Sequence, residues 1–595
     1  MKRQHALAAT AATTMTMLLT GCIDNGYDLT DIDTTSEIKV NDLTLPVNLA
    51  PVTLSDIIAV GENEDDKVKE VTINGKTFYA VEETGSFSSD PLRIDPFSAA
   101  PDPIYPTSAE FELTGPAGAK GRRRAAADAQ TYTLTAPVEK KLDYRADGID
   151  KAIHSVTYTD LENLRMAFVF RMDGPQGIAG RELRDMSLRL PKGLRMADAA
   201  GRTYDAATGT MTIASLPLDA NGRGTLELNA TGIDLAANGT DIDHESHSLL
   251  LDSHFTIDRA SLVLTPAAGT TPADMPRSVT VDVSYELGTF NATAISGAIE
   301  YDLEGEGLDM APIELNDLPE FLAQDKTNLI LHNPQIYLSV SNPLGADRLD
   351  SQTGMRLTAF RDNQQPEAFT LDRFTIGHSR GEGPYNFCLS PVAPADVPEE
   401  YRSGMEHVGF ASLSNVLSGK GLPKSIGVDL ISPKVPMQNV AGFRLGRDLP
   451  RMEGTYRLLA PLALTGDAHS GSVIYYTDRK DGWNDEDIDA IVISTMKLTT
   501  EVSSTLPLNA VLTAHPLDKD GRVIDGVSVT GGNIPANAQD VPVELTMTGT
   551  VEHLDGIEFT AEVRPDGSSA TLAPSQSMTL KKIRITVGGT YTKKF

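Results

Sequence analysis

Ser278-Val-Thr-Val-Asp-Val-Ser-Tyr285 decides the fold class. Polar and apolar residues alternate through the whole octet, the period-two pattern of a strand with one buried face. The same grammar returns in Ile336-Tyr-Leu-Ser-Val340 and Lys582-Ile-Arg-Ile-Thr-Val587. Val71 to Ala80 reads as two short β runs around Asn74-Gly75, a pair that tolerates the positive φ a two-residue hairpin requires. Helix signals are few. Asp317-Leu-Pro-Glu-Phe-Leu-Ala323 and Phe410 to Leu417 are each long enough for a turn or two. The expectation is an all-β chain of tandem β-sandwich domains, Ig-like or Greek-key, with a few short helices.

Two loops share their wording. Pro217-Leu-Asp-Ala-Asn-Gly-Arg223 and Pro516-Leu-Asp-Lys-Asp-Gly-Arg522 both set an Asx-Gly turn between apolar strands, and both read as hairpins. Neither carries the glutamate at position 12 that a calcium loop needs.

Length and charge narrow the classes. The chain has 595 residues and a formal charge of −31. Two to four domains are expected at that length. So acidic a chain disfavours nucleic acid and anionic headgroups as partners. The first 21 residues contain Lys2 and Arg3, no acid, and an uncharged stretch from 4 to 21. This is an export signal, too short in its apolar part and too Thr-rich for a membrane span.

The signal closes on Leu19-Thr20-Gly21-Cys22, which resembles a bacterial lipobox. The resemblance implies cleavage before Cys22, a diacylglycerol thioether on its sulfur and an acyl group on its new amine. Each buried methylene contributes about 0.8 kcal/mol, so several chains make a stable anchor. Acidic residues follow at Asp24, Asp28, Asp31 and Asp33, and the run Tyr27 to Thr34 is similar to the openings of uncharacterised Bacteroidales lipoproteins. That resemblance implies an outer-membrane lipoprotein facing the cell surface, whose partners beyond the membrane would be a surface protein or a glycan. The organisation expected is a signal at 1–21, an acidic tether at 22–45, and β domains at 46–288, 289–453 and 454–595. A mobile loop at 114–129 in the first domain carries Arg122-Arg123-Arg124.

With Cys22 committed to lipid, Cys388 is left alone, so no intrachain disulfide is available. Its apolar neighbours Phe387 and Leu389 suggest a buried thiol on a strand. Gly377-His-Ser-Arg-Gly381 matches G-x-S-x-G, but Glu382-Gly383-Pro384 starts no helix, so Ser379 is rejected as a nucleophile.

Asp243-His244-Glu245-Ser-His247 is the densest set of potential metal ligands. Its histidines are three apart and precede a strand, so an exposed polar loop is expected, with His244, His247 and Asp243 weak metal candidates. Trp483, in an acidic loop near Tyr475 and Tyr476, is the candidate sugar-stacking platform. Phe595 is expected to close a sandwich edge rather than a membrane barrel. No catalytic residues and no cofactor are expected, and the function expected is a non-catalytic binding or structural module. A fimbrillin-like subunit and a glycan-binding lipoprotein of a nutrient-uptake system are its alternatives.

Overall fold

The computed structural model describes residues 35–47, 52–54, 67–114, 129–174, 176–197, 201–270, 274–303, 310–315, 326–420, 422–466, 471–482, 491–567 and 569–594. The signal, Cys22, most of the acidic tether, the arginine-rich loop, the 317–323 segment, Trp483 and Phe595 lie outside them.

The chain is all-β, laid out in several sheets. The deciding octet does what its pattern demands: Val279, Val281 and Val283 are buried and Ser278, Thr280 and Asp282 are exposed. Burying each valine contributes about 1.5–3 kcal/mol. Its strand, Ser278–Leu287, pairs on one side with Thr107–Leu113 and on the other with Ile153–Met172.

From there an antiparallel path folds back on itself as the first sandwich. One arm runs from Ser278–Leu287 through Ile153–Met172 and Arg223–Asp234 to Leu194–Met196. The other runs through Thr107–Leu113, Gln130–Leu134, Ser248–Pro266, Ile178–Arg189 and Thr210–Leu218 to Arg202–Asp205. Phe168, Phe255 and Tyr285 pack together between the arms, with Phe168 edge-on to Phe255 at 5.2 Å. Such aromatic pairs contribute roughly 0.5–1.5 kcal/mol beyond their buried area.

Strand pairing crosses the domain boundaries expected from sequence. Phe290–Asp302 pairs back to Ile153–Met172 and forward to Ser425–Arg444, so position 288 divides no sheet. Glu453–Pro461, beside the second expected boundary, is laddered between Lys76–Ser88 and Gln335–Val340. Thr35–Val47 joins the far end of the chain, pairing with Ser577–Lys594. The ranges 46–288, 289–453 and 454–595 therefore exchange strands instead of each closing on itself.

Gln335–Val340 departs from the simple alternation. It sits between Tyr385–Ser390 and Glu453–Pro461 and is buried on both faces. Tyr337 stacks on Tyr401 at 5.2 Å in a small cluster with Val71, Ile73 and Cys388, while Ile336 and Leu338 belong to the main core.

In the last part of the chain, the sheet of Thr35–Val47, Ser577–Lys594, Ile491–Ser504, Val541–Val551 and Ser528–Gly531 packs against a second sheet. That sheet holds Ile474–Lys480, Gly556–Pro565, Leu508–Leu517 and Asn533–Ile534. Val502 and Val543 from the first meet Ile534, Ala510 and Leu512 from the second.

The twin Asx-Gly loops are the same device: Leu517 bridges Val523 antiparallel around the second, a short hairpin as expected, whereas no ladder joins the strands that flank the first. Asp219 Oδ1 accepts the amides of Asn221 and Arg223, both at 2.8 Å, and Asp518 Oδ1 accepts those of Asp520 and Arg522, both at 2.9 Å. Gly222 and Gly521 both take φ +74°, the left-handed region where a side chain is strained. The flanking strands then part. Thr210–Leu218 pairs with Ile178–Arg189 and Arg223–Asp234 with Ile153–Met172; Leu508–Leu517 pairs with Gly556–Pro565 and Ser528–Gly531 with Val541–Val551. Each loop is a corner that carries the chain from one ladder to another. The Asn74-Gly75 signal, by contrast, is a true hairpin joining Val68–Ile73 to Lys76–Ser88, with φ +51° and +79°.

The α-helix Leu413–Val416 is shorter than the Phe410–Leu417 expected. Arg361 ends it, donating from Nη2 to the carbonyls of Val416 (2.9 Å) and Ser418 (2.6 Å). Among the described residues no helix is long and apolar enough to cross a membrane.

Candidate functional site

The structure separates most of the residues that sequence grouped together. Asp243 ends the short strand Ile242–Asp243, and its Oδ1 accepts the amides of Glu245 (2.9 Å) and Ser246 (3.4 Å). Those bonds, led by the Ser246 side chain, hold its carboxyl below the usual range. The carboxylate thus closes the turn into Ser248–Pro266. His247 takes φ +46° and gives its carbonyl to the Ile149 amide at 2.9 Å. His244 stacks on His154, with ring centroids 4.4 Å apart and 22° between planes. Sequence reasoning missed His154, because it lies ninety residues away on Ile153–Met172. Among the described residues no group of three or more His, Cys, Asp or Glu is arranged to hold a metal ion.

Tyr475 and Tyr476 lie on Ile474–Lys480, opposite Glu562 and Ala561. The Tyr475 hydroxyl donates to Glu562 Oε2 at 3.1 Å, and partial burial together with that carboxylate raises its pKa. The ring is half-buried on its own domain.

Ser379 follows the strand Glu367–Ile376, as a nucleophile elbow would have it, but only turns come after it. The neighbouring groups shape the loop. His378 Nδ1 meets Asp350 Oδ1 at 2.6 Å, and Tyr385 Oη accepts the Arg380 amide at 2.8 Å while donating to the Gly381 carbonyl at 3.0 Å.

Cys388 is fully buried on Tyr385–Ser390, and burial pushes its thiol up to about 11. Its Sγ lies 3.7 Å from Ser390 Oγ, which in turn lies 3.1 Å from His407 Nε2. The imidazole reaches serine, not sulfur, so Cys388 behaves as a core thiol.

A site absent from the sequence reading lies where the first sandwich stays open. The two arms end at Leu194–Met196 and Arg202–Asp205, and between them is a cleft of about 330 Å³. Leu194, Met211 and Leu228 are its buried lining; Met196 and Tyr204 are partly buried; Arg195, Arg202, Glu227 and Asn229 stand around it. The Tyr204 hydroxyl donates to the Pro191 carbonyl at 2.8 Å, and burial pushes it up to about 12. Arg195 is held by Asp160 at 2.6 Å and lies over the Tyr158 ring at 5.8 Å. Alternation alone could place these side chains on faces, but not the two arm ends beside each other.

No protein-family model matches the chain, and no curated protein matches it either. Among solved structures it is similar to a candidate secreted protein from Parabacteroides distasonis ATCC 8503, at 15% identity, covering 49% of this chain and 88% of that one with a TM-score of 0.31. A structure of the infectious bursal disease virus Gx strain overlays at 8% identity over 88% of this chain and 83% of that one, with a TM-score of 0.06. Both overlays are too shallow to carry an argument about function.

Proposed function

We propose that the chain is a non-catalytic outer-membrane lipoprotein, held by acylated Cys22, whose β domains act at the cell surface as a binding or structural module. The observation that carries the reading is the Leu19-Thr20-Gly21-Cys22 lipobox placed directly ahead of the fold. Twelve residues, 23–34, separate Cys22 from the first described strand. Extended, they reach about 40 Å. Thr35–Val47 then enters the sheet of Ser577–Lys594, so along the chain that sheet is the first to follow Cys22. The test is protease shaving of intact cells that express the chain. Loss of the full-length band while a periplasmic marker survives supports a surface module; full protection refutes it.

A second, narrower reading is a fimbrillin-like subunit that assembles by strand exchange. Thr35–Val47 favours it, since this 13-residue strand, which takes up residues 35–45 of the expected tether, is the edge of its sheet. Filaments on cells, with the mature chain trimmed near Arg122–Arg124, would support it; an intact monomer would remove it. A glycan-binding role beside a nutrient-uptake complex rests on Trp483 and Tyr475. Retention on an affinity gel that survives Trp483→Ala would discount it.

A further inference from the structure

The turn 241–248 is pinned to the start of Ile153–Met172 on either side of His154. Asp241 Oδ1 accepts the amides of Val156 at 3.2 Å and Ile242 at 2.8 Å, and the His247 carbonyl accepts the Ile149 amide at 2.9 Å. Between these pins the rings of His154 and His244 lie face to face, with centroids 4.4 Å apart and planes 22° from parallel. His244 is exposed and His154 half-buried, so solvent reaches the pair from the His244 side. Both segments sit inside stretches described throughout, 129–174 and 201–270.

Other histidines of the fold have work for their rings: His378 Nδ1 meets Asp350 Oδ1 at 2.6 Å, and His407 Nε2 meets Ser390 Oγ at 3.1 Å. The rings of His154 and His244 hydrogen-bond to no protein group among the described residues. Each neutral imidazole therefore keeps one free acceptor nitrogen. Imidazole is the side chain that suits copper, zinc and nickel ions. Backbones fixed in advance spare most of the entropy cost of recruiting a second ligand to one ion. The chain's charge of −31, with Asp243 held ionised beside His244, concentrates cations at this surface.

We propose that His154 and His244 together chelate one divalent ion of the imidazole-preferring class, Cu²⁺ most tightly. Two nitrogens bound about 2.0 Å from one ion, at right angles, stand about 3 Å apart. The rings reach that spacing by turning about Cβ–Cγ, a broad torsion in histidine. Water and the exposed Glu245 carboxylate fill the remaining positions, so the pair needs no third imidazole. No carboxylate or carbonyl holds either ring from behind, so the ion exchanges with solution instead of holding the fold together. Calcium and magnesium, which take oxygen ligands, are poor occupants. The site depends on neither lipid attachment nor strand exchange, so its failure would leave both readings untouched.

The test is titration of the mature-length Cys22→Ser chain with Cu²⁺ alone, read by electron paramagnetic resonance. One tight Cu²⁺ per chain is expected, with two imidazole nitrogens in its hyperfine pattern. His154→Gln and His244→Gln should each weaken binding at least tenfold, because either leaves a single nitrogen. Circular dichroism verifies the fold of both. His247→Gln and His254→Gln should leave the affinity unchanged, and excess Ca²⁺ should not displace the copper. Absence of saturable Cu²⁺ binding, a one-nitrogen pattern in the wild-type chain, affinity indifferent to the His154 and His244 variants, or displacement by Ca²⁺ would overturn the proposal.

Discussion

Thr35 lies opposite Lys594 at the end of an antiparallel ladder that runs on to Val47 opposite Ile583. On its other side Ser577–Lys594 pairs with Ile491–Ser504. Removing residues 35–47 would therefore turn a central strand into an edge and leave its amides and carbonyls unpaired. The expected result is a lower-melting transition for the last two sheets in calorimetry, with chymotrypsin cleaving first within 577–594. An unchanged thermogram would show that this ladder contributes little.

Asp219 and Asp518 each hold a corner with two amide bonds, the arrangement a helix N-cap uses on a smaller scale. Asp219→Ala and Asp518→Ala should each cost about 1–2 kcal/mol, read from the denaturant midpoint. The asparagine variants, which keep an acceptor oxygen, should cost less. Equal losses for alanine and asparagine at both sites would point to charge rather than geometry.

These corners also show what sequence can and cannot disclose. Alternation at Ser278–Tyr285 reported a strand and its buried face correctly, because side-chain direction is local. The choice of partner is not local. Nothing in Asp-Ala-Asn-Gly says whether the strands on either side will pair with each other, and here they do not. The same blindness hid the ladder from Thr35 to Lys594 and the shared sheet that crosses residue 288. At the site level, the turn at Asp243 was readable, whereas the His154–His244 stack and the cleft at Arg202 depend on segments brought together by the fold.

Cys388 should be chemically silent until the sheet opens. Its thiol is pushed up to about 11 and lies wholly inside Tyr385–Ser390, so at pH 8 the reactive thiolate is scarce and unreachable. A mature-length chain with Cys22→Ser should show negligible reaction with a thiol reagent over an hour at pH 8. One equivalent should react in denaturant. Rapid reaction of the native chain would contradict the burial.

Asp396 ties the Asn74-Gly75 hairpin to the 396–402 segment, accepting from Asn74 Nδ2 at 2.9 Å and Lys76 Nζ at 2.7 Å. The Asn74 amide first, and then Lys76, hold its carboxyl below the ordinary value. A depressed folded-state pKa adds stability that is present above the unfolded value, about 3.9, and is lost as pH falls through the folded one. The Tm gap between wild type and Asp396→Asn should therefore be open at pH 7 and close on acidification below pH 4. A gap that widens in acid would reverse the sign.

The central claim is that Cys22 bears the anchor, and mass spectrometry of the mature N-terminal peptide, from protein expressed in a Bacteroidales host, tests it most directly. The account predicts a peptide that begins at Cys22 and carries a diacylglycerol thioether plus an N-acyl group, with the chain in the outer-membrane fraction and released from it by Cys22→Ser. An unmodified Cys22, or cleavage elsewhere with the chain free of the membrane, would contradict it.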